Sequence, residues 1–210
     1  MTVARWSDMP WKVKNVAFSL LVRPWVRLRF ALAGVPWGRS WRFYGVPVIQ
    51  RHRRSRMAFG PGLQLRSSTG SNPLGINHRV LLATLGESAV LEVGAGFGMS
   101  GGSICVAERV TIGDRVAVGA NTTIVDTDFH PLDPARRQAL ANEGATAPVV
   151  IEDDVFIGMG CLILKGVTIG RGSVIGAGSV VVKSVPAGVI AAGNPARAIR
   201  ELPGAGGGHD

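Results

Sequence analysis

The chain has 210 residues, 46% of them hydrophobic, which gives room for one ordinary domain with a sizeable core and excludes a disordered polypeptide. Two cysteines, Cys105 and Cys161, exclude a disulfide scaffold and a cysteine-rich zinc module, and read as small buried hydrophobes in a reducing compartment. The net charge of +9 is unevenly placed: residues 1–56 hold twelve Lys/Arg against one acid, Asp8, and all five Trp lie within the first 41 positions.

The first element in chain order is this basic, Trp-rich segment, residues 1–56. Its longest uncharged run, Asn15–Val22, is far short of the roughly 20 apolar residues a membrane span needs. A secretory signal needs a longer apolar centre and a cleavage site, so the expectation is a cytoplasmic protein. Apolar residues interleaved with Arg and Trp predict short helices broken near Pro10, Pro24 and Pro36. Two readings stand: helices lying on an anionic membrane at the inner face, or Trp packing on the body while Arg stays solvated. The run Arg51–Arg56 has the charge for nucleic acid, but no recognised nucleic-acid module accompanies it, and none is expected as a partner.

A six-residue period dominates the second half. Ile151, Ile157, Ile163, Ile169, Ile175 and Val181 recur every six positions, with Gly158, Gly170 and Gly176 following three of them. A second series, four residues on, runs Val155, Cys161, Val167, Ser173, Ser179 and Val185. The same register holds at Ile112, Val118 and Ile124, and slips near Gly98–Gly102. A period of six is neither helical nor that of an ordinary alternating strand, so it predicts an all-β solenoid of short strands, one hexad per strand and turn. Glycine suits a turn where a side chain would crowd the next face. The solenoid is expected over residues 57–200, with irregular coils in its first part and in residues 43–50, then a short C-terminal helix and a flexible tail over 201–210.

The repeat breaks once, where residues 126–148 leave it as a loop, and a long excursion from a compact repeat is usually functional. The loop opens with Asp126-Thr127-Asp128-Phe129-His130-Pro131. His130 is the natural general base, and Asp128 or Asp126 is the candidate to fix its tautomer. His52, His78 and His209 sit in contexts that suggest no such role. Gly94-Ala95-Gly96-Phe97-Gly98 resembles a dinucleotide loop only superficially, because no βαβ unit surrounds it.

The segments SGGSICVAERVTIGDRVAVGANTTIVDTDFHP (Ser100–Pro131) and VFIGMGCLILKGVTIGRGSVIGAGSVVVKSVPAGVIAAGNPARAIR (Val155–Arg200) resemble the hexapeptide-repeat acetyltransferases, in their sugar O-acetyltransferase branch. The resemblance covers roughly residues 60–200. It implies a left-handed parallel β-helix, a homotrimer, acetyl-coenzyme A as co-substrate with no metal, and an acceptor hydroxyl on a sugar or glycan precursor of cell-surface polysaccharide. It makes His130 the catalytic base, in a matching His-Pro element. It also implies coenzyme A contacts at Met159, Gly160, Ala177 and Lys183, with Arg197 and Arg200 on the nucleotide phosphates. Ser100 stands where galactoside-acetylating relatives carry an acceptor-binding Asn, a departure that leaves the sugar open. An antibiotic-modifying acetyltransferase on the same fold is the nearest alternative, and a non-catalytic β-helix scaffold is the alternative from another class. A γ-type carbonic anhydrase needs three histidines on a metal, and here only His130 lies near the repeat's second half.

Overall fold

A chain whose inward aliphatics recur every six residues must turn a corner at each hexad, and three corners bring it back beneath its starting point. The structure, a computed structural model, describes residues 9–139 and 144–203. Trp6, residues 140–143 of the loop, and residues 204–210 of the expected tail, His209 included, lie outside the described residues.

The first coil consists of β1 (Arg42–Tyr44), β2 (Val48–Arg51) and β3 (Arg56–Phe59). The second is β4 (Gln64–Arg66), β5 (Leu81–Thr84) and β6 (Val90–Val93), and the third β7 (Gly98–Ser100), β8 (Ser103–Val106) and β9 (Arg109–Ile112). The fourth follows with β10 (Ala117–Val118), β11 (Thr123–Val125) and, beyond the loop that holds α2 (Pro134–Ala139), β12 (Val149–Ile151). The fifth is β13 (Phe156–Ile157), β14 (Leu162–Ile163) and β15 (Thr168–Ile169). β16 (Val174–Ile175) and β17 (Val180–Val181) begin a sixth, and β18 (Val189–Gly193) and β19 (Ala196–Glu201) close the chain.

From β1 to β18 each strand pairs in parallel with its counterpart in the neighbouring coil, which gives three sheets. The first runs β1-β4-β7-β10-β13-β16-β18-β19, the second holds β2, β5, β8, β11, β14 and β17, and the third β3, β6, β9, β12 and β15. The architecture is therefore a parallel β-helix. Both hexad series point inward: Ile151, Ile157, Ile163, Ile169 and Val155, Cys161, Val167 are all buried, as are Ser173 and Ser179. The two serines are satisfied there, Ser173 Oγ donating to the Pro186 carbonyl at 2.6 Å and accepting from Val189 N–H at 3.2 Å. Gly158 is required by stacking, since a Cβ there would stand 2.5 Å from the Ala177 backbone nitrogen.

Three expectations are corrected. The coil expected over residues 43–50 is present and begins at Arg42, but it continues through β3, so residues 42–56 belong to the solenoid and the basic segment ends before them. Early coils escape the period because residues 67–80 interrupt the second one. The C-terminal helix is instead β19, antiparallel to β18. Lastly, the broken helices near Pro10 and Pro24 are one helix, α1 (Pro10–Leu32), with Pro10 at its first turn and Pro24 inside it. Proline at the first turn costs nothing because that N–H has no intrahelical partner anyway. At Pro24 the freed carbonyl is that of Leu20, on an exposed stretch where water can serve it.

What holds α1 is packing. Val22, Val26 and Phe30, four residues apart, are buried against β1. Phe30 sits 5.1 Å from Trp41, 5.4 Å from Phe43 and 6.0 Å from Phe59, ring centre to ring centre, so the helix plugs the open end of the first coil with aromatics. Arg51 turns inward to close it: its Nη1 donates to the Ala33 carbonyl at 2.7 Å, at the C-terminal end of α1. Arg54 and Arg56 pair with Glu87 and Glu92. The Arg51–Arg56 run thus has local partners.

Candidate active site

The loop expected to carry the chemistry leaves after β11 and returns at β12, at the corner between the second and third sheets. Its root is Asp126, fully buried, whose carboxylate accepts the backbone N–H groups of Ala107 (2.7 Å), Glu108 (2.8 Å) and Arg109 (2.7 Å) from the turn of the coil before. Those three donors would otherwise lack partners, because the fourth coil departs there into the loop. The same charge, after burial, helps push the Cys105 thiol above its ordinary value. Asp126 is therefore a fastener of the loop and does not reach the imidazole of His130, which corrects its expected role as orienter.

The two arms of the loop pair with each other. Asp128 N–H donates to the Ala145 carbonyl and Ala147 N–H to that of Asp126, each at 3.0 Å, and Thr127 bridges Thr146 in antiparallel register. Thr146 Oγ1 donates to Glu108 at 2.7 Å. Asp128 points to the following coil, where Lys165 Nζ donates to its Oδ1 at 2.7 Å, both side chains half-buried. Among the described residues, neither Asp126 nor Asp128 hydrogen-bonds the His130 ring.

Between Asp128 and His130 the backbone makes a tight three-residue turn. His130 N–H donates to the Asp128 carbonyl at 2.7 Å, and Phe129 sits at φ +62°. A bulky residue in the left-handed region is a strained backbone held by its surroundings. One of these is Gly144, where a Cβ would stand 2.5 Å from the Phe129 nitrogen and 2.7 Å from that of His130. Thr127 Oγ1 accepts from Phe129 N–H at 3.0 Å. The outcome is an exposed His130 side chain on a buried Pro131, its backbone fixed from two coils.

The remaining expected residues lie elsewhere. Ser100, Met159, Gly160 and Ala177 stack along the corner between the first and second sheets. The stacking is continuous: Asn121 N–H donates to Ser100 at 3.0 Å, Gly160 N–H to Ala120 at 2.8 Å, and Gly178 N–H to Met159 at 2.8 Å, all backbone carbonyls. Ser100 is buried at the upper end of this row, while Met159 and Ala177 are exposed. Lys183 follows β17, and Arg197 and Arg200 ride on β19, so three exposed cations gather toward the C-terminal end. His130 and this row thus occupy different corners of one chain, with the second sheet between them.

Three features were missed in the sequence. Lys165 carries no local signal for a partner 37 residues away. Gly144 reads as loop glycine until its neighbours are known. Residues 67–80, expected as part of an irregular coil, instead fold over the Ser100 corner: Asn77 N–H donates to Asn121 Oδ1 at 2.7 Å, and Ile76 and His78 flank Gly101. Among the described residues no three of His, Cys, Asp and Glu gather as a metal-binding group.

Residues 148–183 match the bacterial transferase hexapeptide family (six repeats). A candidate acetyltransferase of Schizosaccharomyces pombe is 47% identical over 93 residues, 44% of this chain and 44% of that protein. The 2,3,4,5-tetrahydropyridine-2,6-dicarboxylate N-acetyltransferase of Clostridium perfringens is 51% identical over 55 residues, 26% of this chain and 23% of its own. Among solved structures, a hexapeptide-repeat acetyltransferase of Vibrio cholerae in complex with acetyl-coenzyme A superposes with a TM-score of 0.53 at 29% identity, covering 84% of this chain and 75% of that one. The chain spans less than half the length of the curated relatives it matches.

Proposed function

We propose that this chain, whose residues 148–183 belong to the bacterial transferase hexapeptide family, is an acetyl-coenzyme A-dependent O-acetyltransferase acting on a sugar or glycan-precursor hydroxyl. The observation that carries the reading is the strained, doubly anchored turn that holds an exposed His130 on a β-helix similar to an acetyl-coenzyme A-bound neighbour. In the proposed reaction, the His130 imidazole takes the acceptor's hydroxyl proton while the oxygen attacks the thioester carbon. The tetrahedral intermediate collapses by breaking the carbon–sulfur bond, and the imidazolium returns its proton to the departing thiolate. An acetyl ester and free coenzyme A result, with no covalent enzyme intermediate.

Met159, Gly160 and Ala177 are proposed to flank the pantetheine arm through backbone groups, with Lys183, Arg197 and Arg200 toward the phosphates. Ser100 would hydrogen-bond the acceptor. Asp128 acts through the turn it anchors and is a positioning residue. Since these groups stand one corner away from His130, the reading requires a second copy, with the row of one subunit facing the loop of another; the resemblance to hexapeptide-repeat acetyltransferases makes the coil left-handed and that assembly a trimer. A cytoplasmic location follows from the co-substrate.

Titration calorimetry of acetyl-coenzyme A into the wild type, beside His130→Ala in a thioester-hydrolysis assay, tests this. Binding by both proteins with slow hydrolysis only in the wild type is the expected result, followed by acetylation in an acceptor screen of sugars and amines. A folded wild type that binds no acetyl-coenzyme A overturns the enzyme and leaves a scaffold. Preferential acetylation of amines overturns the hydroxyl acceptor alone.

A further inference from the structure

The outward side of α1 is unusually apolar for a helix facing water. Leu21, Trp25 and Leu32 are 73%, 65% and 77% exposed, and Trp11, Phe18, Leu20 and Leu28 are exposed beside them. The burial of Val22, Val26 and Phe30 fixes which side faces the solenoid, and at 100° per residue Leu20, Leu21, Leu28 and Leu32 fall on the opposite side, Trp25 and Phe18 at its margin, and Trp11 close to the direction of Val22. The helix carries five cations, Lys12, Lys14, Arg23, Arg27 and Arg29, and no acid. Arg23, Arg27 and Arg29 project to the flanks between the buried and exposed sides, Lys14 falls on the exposed side, and Lys12 shares the direction of Phe30. Arg27 and Arg23 lie over the Trp37 ring, 5.2 and 6.0 Å from its centre, which gives that flank of the helix a fixed pair of guanidinium groups.

We infer that this face of α1 docks in the plane of an anionic lipid bilayer, its leucines and Trp25 entering the headgroup boundary and its flanking cations meeting lipid phosphates. No helix among the described residues is long and apolar enough to cross a membrane, so the geometry is that of a helix lying on the surface. Phe18, Leu21, Trp25, Leu28 and Leu32 also alternate by three and four, the seam of a coiled coil, and a second copy is the competing occupant. Charge decides against it. Two copies of α1 face to face would bring ten cations together with no carboxylate to answer them, whereas an anionic surface answers all of them. The position suits this too, because α1 covers the N-terminal end of the solenoid, away from the three C-terminal cations and from the His130 loop. The inference is independent of the proposed activity.

The test is sedimentation of the full-length protein with vesicles of equal parts phosphatidylglycerol and phosphatidylcholine, and with phosphatidylcholine alone. Binding to the mixed vesicles, weakened by salt and reduced about tenfold or more by Leu21→Gln with Trp25→Gln, is expected. Because both side chains are exposed, the variant should keep its helical dichroism and its assembled mass. Failure to sediment, equal binding to neutral vesicles, or binding untouched by the substitutions overturns the inference. A fall in assembled mass on substitution assigns the face to a second copy, and overturns it as well. Acetyl-coenzyme A titration of the same preparations reads the proposed activity separately.

Discussion

At the scale of single residues, two neighbouring carboxylates of one loop have separate tasks. Asp126 accepts three backbone N–H groups in a buried corner. Asp126→Asn keeps one acceptor oxygen and turns an amide donor on the other donors, leaving buried N–H groups unpaired at roughly 1–3 kcal/mol each. The expected outcome is a clear fall in Tm by thermal denaturation. Asp128 instead pairs with Lys165 in a half-exposed bridge, worth at most about 1 kcal/mol to stability. Lys165→Met should therefore leave Tm nearly unchanged yet lower kcat on the order of tenfold, through a His130 turn no longer held in place. Unaltered KM for acetyl-coenzyme A, with partial rescue by Lys165→Arg, separates positioning from a lost binding contact. The burial and the Asp126 charge that raise the Cys105 thiol also set a pH dependence. A raised folded-state value means the neutral thiol's contribution to stability is fully present below the ordinary thiol range and is lost as pH rises from there through the raised folded-state value. Cys105→Ala should show a shallower alkaline decline in Tm. Asp126 and Asp128 stand two positions apart, so sequence alone offered both as partners for His130. Which one is drawn into the wall depends on three N–H groups seventeen to nineteen residues upstream.

At the scale of elements, the most legible part of the chain was the one with the fewest interruptions. From Ile151 to Val185 each hexad closes on its neighbour, and the inward series are the buried ones. The first two coils have the same topology but hold the excursion over residues 67–80, which breaks the count without breaking the sheets. The helix was misread for a different reason. Pro24 argues locally for a break, but three buried side chains and an aromatic plug hold α1 continuous through it. Local propensity is a weak term beside tertiary burial. It still has a cost: Pro24→Ala restores one N–H and relieves the ring clash, and should raise Tm by an amount equivalent to roughly 1–3 kcal/mol. Phe30→Ala removes the plug and should lose about 3–5 kcal/mol, seen as a large drop in denaturation midpoint. An unchanged midpoint in Phe30→Ala would mean that α1 contributes nothing to the first coil.

At the scale of the whole molecule, the division of the proposed site between two corners makes its assembly testable. The Ser100–Ala177 row and the His130 loop belong to different edges of the prism, and no hinge within a stacked solenoid brings one to the other. The hexad states that a coil closes, but not where its corners point, so this separation was invisible before the sheets were assigned. A site shared between neighbours has a signature in mixing. His130→Ala removes the proposed base but keeps the row. Ala177→Trp places a bulky ring on an exposed turn of the row and leaves the base intact. Each homo-oligomer should be nearly inactive. Co-expressed in equal amounts, the two chains should assemble some interfaces with an intact row from one and an intact His130 from the other, at about one in four by random mixing. Recovery of activity to that fraction of wild type, in particles whose mass matches the wild-type oligomer, is the expected result. Two inactive chains that stay inactive when mixed would place base and donor in one subunit, and would require the His130 loop to lie differently from the position fixed by Asp126 and Lys165.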